Sequence, residues 1–299
     1  MRIKSCGEIL DSLNIRGYLS FVPDKMWIKY KYKRKFGKKL NLKNPKTFNE
    51  KLQWMKLYYR NPVCTTIVDK YEAKRYVAER IGEEYIIPTL GVWDRFEDID
   101  FDALPNQFVL KCTHDSGGLV VCRDKRELDI EQAKHKINKC LKRNFYWHGR
   151  EWVYKDIKPR IIAEKYMEDS QTKELRDYKF FCFNGEPKVL FVASGRQGSG
   201  EMCFDFFDTQ YNHLPIRKGH PNAEEKPSKP VSFELMKTLA EKLSEDLPHV
   251  RADFYEVNGK VYFGELTFAS GGGFGPFEPE EWDKIMGDWF ILPKKQIKK

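Results

Sequence analysis

The sequence predicts an α+β fold in which antiparallel hairpins follow a short, basic, helical segment. Two Asn-Gly pairs, at 184–185 and 258–259, each join two runs rich in β-branched and aromatic residues, the signature of a tight hairpin. Apolar residues at helical spacing dominate the stretch before residue 82, and no regular βαβ alternation follows it. In order along the chain, Ile28, Tyr32 and Phe36 recur on one helix face within 25–46, which holds ten Lys or Arg and no acid. Gly37 ends that helix. Thr47 and Glu50 make a capping box, reciprocal bonds that satisfy two free amides, ahead of the apolar stripe Phe48, Leu52 and Met55. One further helix is expected over 63–81, with Ile67, Tyr71 and Ala78 inward and Gly82 as its stop. Strands are expected at 108–112, 161–167, 178–194, 203–208 and 251–268. Helices are expected around Ile130–Leu141 and Leu235–Leu243, with a Pro- and Lys-rich loop over 213–230.

The chain has 299 residues, 53 Lys plus Arg against 44 Asp plus Glu, and a net charge of +9. No apolar run approaches the roughly 18 residues of a membrane span. Charges scattered through the first residues leave no apolar signal-peptide core. Seven dispersed cysteines without a C-x-x-C pair argue against a zinc site or a disulfide framework and suggest a reduced, cytoplasmic protein.

Three stretches carry residues suited to chemistry. In LKCTHDSGG (110–118), Lys111 ends a strand and Ser116, Gly117 and Gly118 follow in a polar loop. Glycines let backbone amides approach an anion and the lysine adds a point charge, an arrangement suited to phosphates as well as to a plain turn. In 251–267, Arg251, Asp253, Glu265 and Thr267 sit at odd positions on two hairpin strands. A two-residue Asn-Gly loop pairs Val257 with Lys260 and puts Asp253 and Glu265 on opposite faces. A three-residue loop with Gly259 in a G1 bulge pairs Glu256 with Lys260 and puts all four on one face. Two carboxylates on one face suit Mg²⁺ held jointly with phosphates; an exposed face with an ordinary Arg–Asp pair also fits. In AEKYM (163–167) and LRDYKFF (175–181), backbone groups suit adenine and Asp177 suits ribose hydroxyls, with Lys179 on the same face; a solvated edge strand fits as well.

This order of elements resembles the ATP-grasp superfamily, with Asp69-Lys70-x-x-x-Lys74 similar to its D-K-x-x-x-K helix. The phrases NPKTFNEKLQWMKLY, VDKYEAKRYVAERIGEEYIIPTLGVW, LPNQFVLKCTHDSGG and FGELTF, across roughly 20–270, resemble the TupA-like ATP-grasp proteins of polysaccharide and teichuronopeptide biosynthesis. The resemblance implies an ATP-grasp fold of two α+β lobes gripping ATP. Its expected divisions are a basic helical region (1–60), an N-lobe with the glycine-rich loop (61–165), a C-lobe with the Mg²⁺ site (166–292) and a basic tail (293–299).

The resemblance further implies ATP and Mg²⁺ as cofactors. Lys70 and Lys111 would contact phosphates, under a mobile loop of Ser116, Gly117 and Gly118. Glu164, Lys165, Tyr166 and Met167 would form the adenine-binding connection. Asp177 would contact ribose, with Lys179 near the phosphates. Asp253 and Glu265 would bind the metal, with Thr267 where many relatives carry an asparagine ligand. Arg251 and Lys111 would act in catalysis, Arg251 on the acyl phosphate. The implied reaction is amide formation between a carboxylate and an amine through an acyl phosphate, for instance a uronic-acid sugar and an amino acid, in cell-surface polymer synthesis. Many relatives carry a Rossmann-like domain where this chain has its basic helices. Acceptor-site candidates are Tyr146, Trp147, His148, Trp152, Tyr154, Arg196 and the GGGFG run at 271–275. Two other functions remain open: an ATP-grasp phosphotransferase acting on a sugar, and a non-catalytic basic module. The 25–46 cluster, with interleaved aromatics, suits peripheral contact with an anionic membrane at its inner face better than it suits nucleic acid.

Overall fold

A computed structural model describes residues 5–170, 175–195 and 201–296. The N-terminal helices are α1 (Cys6–Ile15), α2 (Asp24–Phe36) and α3 (Phe48–Tyr58). Gly37 closes α2 in the left-handed region at φ 70°, and the Thr47–Glu50 capping box opens α3. α2 buries Trp27, Ile28 and Tyr32, the latter two against Leu40 and Phe274, and turns most of its lysines to solvent. Phe48 of α3 packs edge-on against Phe181 and Phe183, at 5.9 and 5.8 Å between ring centroids. A break at residue 60 therefore does not match the packing, because α3 belongs to the core of the C-terminal sheet.

The single helix expected over 63–81 is two, α4 (Val63–Val68) and α5 (Glu72–Ile81). Asp69 is extended, and its Oδ1 accepts the amides of Tyr71 (2.8 Å) and Glu72 (3.1 Å). A short acidic side chain competing for backbone donors is the usual way such a residue ends one helix and caps the next. Tyr71, expected inward, is exposed at this joint.

A four-stranded sheet follows from β1 (Thr89–Trp93), β2 (Phe108–Cys112), β3 (Leu119–Cys122) and β4 (Ile161–Lys165), with α6 (Ile130–Leu141) and α7 (Tyr146–Gly149) between β3 and β4. Its order is β1-β4-β2-β3, all antiparallel. Ala133, Ile137 and Cys140 of α6 cover one face, on Phe108, Leu110 and Ile161.

A six-stranded sheet contains β5 (Asp177–Phe183), β6 (Glu186–Ser194), β7 (Cys203–Asp208), β8 (His213–Leu214), β9 (His249–Val257) and β10 (Lys260–Thr267). Helices α8 (Phe233–Ser244) and α9 (Glu281–Trp289) complete the chain. The order is β10-β9-β5-β6-β7-β8, again antiparallel throughout. α8 covers the face bearing Phe180 and Phe254. The other face is divided. Phe181 and Phe183 pack under Phe48, whereas Asp177 and Lys179, on the same side of β5, lie toward the opposing sheet.

The β9–β10 hairpin has the two-residue turn: Val257 pairs with Lys260, and Asn258 and Gly259 are left-handed at φ 52° and 75°. A three-residue loop with a bulge at Gly259 is therefore wrong. The bulge lies further along, at Gly264, where the register shifts so that Glu265 faces Asp253 and Thr267 faces Arg251. All four polar residues share one face, but for a reason the turn did not reveal.

Candidate active site

The two sheets face each other across a cleft enclosing about 910 Å³. On the four-stranded side, Glu164 of β4 is buried between two lysines. Lys111 Nζ of β2 approaches it at 2.6 Å and Lys74 Nζ of α5 at 2.5 Å. Burial alone raises a carboxyl pKa; here Lys111 and Lys74 outweigh it and hold Glu164 down at about 2. Lys74 is fixed further by the Ile87 carbonyl (2.7 Å) and Thr89 Oγ1 (2.9 Å). Lys74 lines the cleft beside Lys70, four residues before it, and its place in the Asp69-Lys70-x-x-x-Lys74 stretch is the sequence signal for it.

Lys70 lies at the α4–α5 joint. Its amide donates to the Thr113 carbonyl (3.0 Å) and its Nζ to the Asp115 carbonyl (2.7 Å), which ties it to the glycine-rich loop. Asp115 is buried; its Oδ2 accepts from Arg143 and from the Cys140 thiol, and its Oδ1 accepts the Ser116 amide. Only Ser116 and Gly117 stand exposed at the tip, with Gly117 at φ 106°. A Cβ on Gly118 would lie 2.3 Å from Cys140 Sγ, so the loop sits this close to α6 only with glycine there.

Beyond Lys111 and Glu164 the cleft continues into a more apolar recess lined by Val109, Val121, Tyr166, Met167 and Tyr255. Of the expected 164–167 connection, Glu164 and Lys165 belong to the β4 ladder, and the Lys165 amide is taken by the Pro88 carbonyl at 3.0 Å. Glu164 presents its side chain to the lysines. Tyr166 and Met167, past the strand end, line the recess. Asp177 does not fit its expected ribose contact: it is fully buried, 3.3 Å from Lys179 Nζ, and away from the cleft surface.

On the six-stranded side, Arg251 is the hub. Its Nε donates to Asp253 Oδ1 (2.7 Å) and its Nη2 to Asp253 Oδ2 (2.6 Å), a bidentate pair. The same Nη2 reaches Glu265 Oε1 (2.9 Å) and Thr267 Oγ1 (3.1 Å). Lys179 also donates to Asp253, across the β5–β9 register. Asp253 is wholly buried, while the Glu265 side chain is 42% exposed toward the cleft. Burial would raise the Glu265 pKa, but Lys179 and Arg251 hold it at about 2. Thr267, expected as a metal ligand, instead spends its hydroxyl on Arg251 and Glu265.

A sequence profile of the TupA-like ATPgrasp family matches residues 50–291, well over half of the chain. The chain belongs to the TupA-like ATP-grasp family. Its two sheets and the cleft between them are the ATP-grasp fold. Solved structures with partial likeness include the D-alanine–D-alanine ligase from Bacillus anthracis complexed with ATP (17% identity, 68% of this chain, 54% of that one, TM-score 0.40). The L-amino acid ligase from Bacillus licheniformis is 11% identical over 77% of this chain and 52% of its own, with a TM-score of 0.47. The ADP complex of purK, N5-carboxyaminoimidazole ribonucleotide synthetase, is 16% identical over 72% of this chain and 49% of its own, with a TM-score of 0.43. The chain spans about half the length of these structures. No curated protein matches the sequence.

For an ATP-grasp protein the relevant metal is Mg²⁺, and the donor set here suits it. Among the described residues no three His, Cys, Asp or Glu side chains cluster as a self-sufficient metal site. Asp253 and Glu265, however, offer hard oxygens on facing strands, the few protein ligands Mg²⁺ takes when phosphates and water complete its shell. Asp253 Oδ1 has one donor and keeps a free acceptor position.

A second cavity, enclosing about 970 Å³, adjoins the cleft and shares Lys70, Asp115, Ser116 and Glu265 with it. Arg251 and Thr267 line its near end, with Tyr154 close enough to Arg251 and Glu265 to feel their charge; Lys31, His148, Glu151 and Phe274 line the far end. Of the five aromatic candidates, His148 and Tyr154 reach this cavity. Tyr146 is buried with its hydroxyl on Asp24, Trp147 packs over Arg150, and Trp152 stacks on Arg60. Gly271 and Gly272, left-handed at φ 59° and 64°, lie in its wall. Arg196 falls outside the described residues. Phe274 belongs to the expected GGGFG run; Lys31 and Glu151 were not expected here, because they lie more than a hundred residues from it and from each other and share no motif with it.

Proposed function

We propose that this protein is a Mg-ATP-dependent ligase that joins a carboxylate to an amine through an acyl phosphate. The observation that carries this reading is the pair of adjoining cavities meeting at Lys70, Asp115, Ser116 and Glu265. One has lysine-rich walls and an apolar recess, which suits triphosphate and base. The other has Arg251 at the junction and an aromatic far end, which suits an organic acid.

In this reading the nucleotide lies between the 61–165 and 166–292 lobes, its base by Tyr166 and Met167 and its phosphates by Lys70, Lys74, Lys111 and Lys179. Mg²⁺ bound at Asp253 and Glu265 would supply charge neutralisation along the phosphates. The acid's oxygen attacks the γ-phosphorus, the bond to the β-phosphate oxygen breaks, and ADP departs. Arg251, which lines the second cavity and whose Nη1 donates to Ser270 Oγ (3.2 Å), holds the resulting acyl phosphate. The amine then adds to the acyl carbon, phosphate leaves with the C–O bonding pair, and the amine loses a proton. The Ser116-Gly117 tip closes over the phosphates and excludes water that would hydrolyse the acyl phosphate. A uronic acid of a cell-surface polymer precursor and an amino acid are the substrates this chemistry suits, and the amide joining them is the product.

Hydroxylamine trapping tests the reaction. ATP, Mg²⁺ and a panel of sugar acids and amino acids should yield ADP, phosphate and an acyl hydroxamate with at least one acid. A stable phosphorylated sugar, with no phosphate released, would make the protein a phosphotransferase instead.

A peripheral membrane location is part of the proposal. Among the described residues no helix is long and apolar enough to cross a membrane. Met26 and Tyr30, one turn apart, are exposed on α2 beside Lys29 and Lys33, and Phe21 just ahead is 78% exposed. Cationic residues with apolar tips suit an anionic bilayer surface. The protein should sediment with vesicles containing phosphatidylglycerol at low salt and not with phosphatidylcholine alone. Equal recovery on both would remove the membrane from the reading.

A further inference from the structure

The N-terminal helices bring one charged group into the second cavity, and its electrostatic situation is unusual. Arg150, fully buried, donates to Asn14 Oδ1 (3.0 and 2.6 Å), to the carbonyls of Leu19 (2.8 Å) and Val22 (3.1 Å), and to Asp24 Oδ1 (2.8 Å). Trp147 covers its guanidinium at 4.6 Å. This knot fastens α1 and the start of α2 to α7, and so fixes where α2 meets the cavity. The residue that α2 places there is Lys31.

Lys31 Nζ donates to the His148 carbonyl (2.9 Å) and lies 4.8 Å from the centre of the Phe274 ring. Among the described residues it forms no salt bridge. The buried Lys56 lies 4.3 Å from the same ring and donates to Gln53 (2.8 Å) and to the carbonyls of Gly149 (2.9 Å) and Gly272. The carboxylate near both is Glu151, itself buried. Two ammonium groups thus share Glu151; Asp11, the other carboxylate acting on Lys31, is paired with Arg34, and Arg251, Asp115 and Glu265 at the near end are engaged with partners of their own. Burial lowers the Lys31 pKa, as expected for a cation short of a counter-charge. The far end of the cavity has an aromatic face and, in Lys31, an ammonium held by a carbonyl and a ring and by no salt bridge, and an anion arriving there would be drawn to both.

We infer that Lys31 recognises an oxyanion on the second substrate, remote from the group that reacts at Arg251. The substrate class is an acidic molecule with a ring or apolar face to set on Phe274. This rests on the reading of the two cavities as nucleotide and acceptor sites. It makes α2 part of the substrate site and Lys31 a specificity determinant.

Thermal-shift titrations of wild type, Lys31→Met and Lys31→Arg test it, with D-glucuronate, glucose 6-phosphate and neutral glucose as probes and Mg-ADP as a separate arm. At least one anionic probe should raise the melting temperature of wild type and Lys31→Arg, with at least tenfold weaker apparent affinity for Lys31→Met. Glucose should leave all three unchanged. A response to glucuronate alone makes the oxyanion a carboxylate; a response to the phosphate alone makes it a phosphoryl group. No response of wild type to either anion, an equal response of Lys31→Met, or an equal response to glucose overturns the inference. The Mg-ADP shift should be the same in all three proteins. Its absence from wild type would count against the nucleotide reading, and the anion titrations would still decide Lys31.

Discussion

Glu265 stands directly across from Asp253 on the β9–β10 ladder, although the two-residue turn that joins these strands sets them on opposite faces. Gly264 resolves the conflict by taking up one extra residue as a bulge. The backbone there is close-fitting: a Cβ on Gly264 would lie 3.0 Å from the Asp253 carbonyl oxygen and 3.1 Å from the Tyr255 ring.

That contact yields a direct prediction. Gly264→Val should force β10 away from β9 at the point where the two carboxylates converge. Calorimetric affinity for ADP should fall at least tenfold with Mg²⁺ present and change much less without it. An unchanged Mg-ADP affinity would show that the bulge does not set the carboxylate pair.

The two carboxylates should differ in what they do for stability. Asp253 is buried against Arg251 and Lys179, so Asp253→Asn leaves buried cations uncompensated and should cost about 3–5 kcal/mol. Glu265→Gln, at a half-exposed side chain where solvent screens the Arg251 pair, should lower stability by much less than Asp253→Asn while abolishing ATP turnover. Urea melts beside a phosphate-release assay separate the two cases.

Glu164 gives a signed acid dependence. Its folded pKa, about 2, lies below its ordinary value of 4.5, so its contribution is complete above about pH 4.5 and is lost as pH falls through 2. Burial pulls Lys74 the other way and offsets part of the gain. Glu164→Gln should therefore destabilise the protein most above pH 5, and the gap from wild type should close toward pH 2. A gap independent of pH would deny the ion-pair role.

His249 works on a different part of the acid limb. It is buried among Phe48, Phe183 and Phe290, with Nδ1 on the Cys182 carbonyl at 2.8 Å. Burial, more than any neighbouring charge, lowers its pKa to about 3. Between about 6.5 and 3 the unfolded chain binds a proton that the folded protein refuses, so stability falls as pH drops through that window. His249→Phe should flatten the decline in melting temperature between pH 6.5 and 4.

Much of this protein is legible because some signals are local. The Thr47–Glu50 box, the Gly37 stop and both Asn-Gly turns depend on residues within four positions of each other, and the structure has all of them. The helix expected over 63–81 divides in two for the complementary reason. Apolar periodicity runs on through Asp69, but one carboxylate accepting two amides interrupts the backbone and turns Lys70 into the cleft.

The sequence by itself determined the α+β class, the antiparallel hairpins and, through ordered motifs, the ATP-grasp family. It also named most of the charged residues that line the cleft, since strand alternation and motif spacing are properties of the chain. Tertiary structure alone decided that Glu265 meets Asp253, that Asp177 is buried away from the cleft, and that Lys31 of α2 reaches a cavity walled by Glu151 and Phe274. Each of these depends on close approach between segments far apart in sequence, where a bulge, a buried charge or a packed ring is set by what lies opposite it.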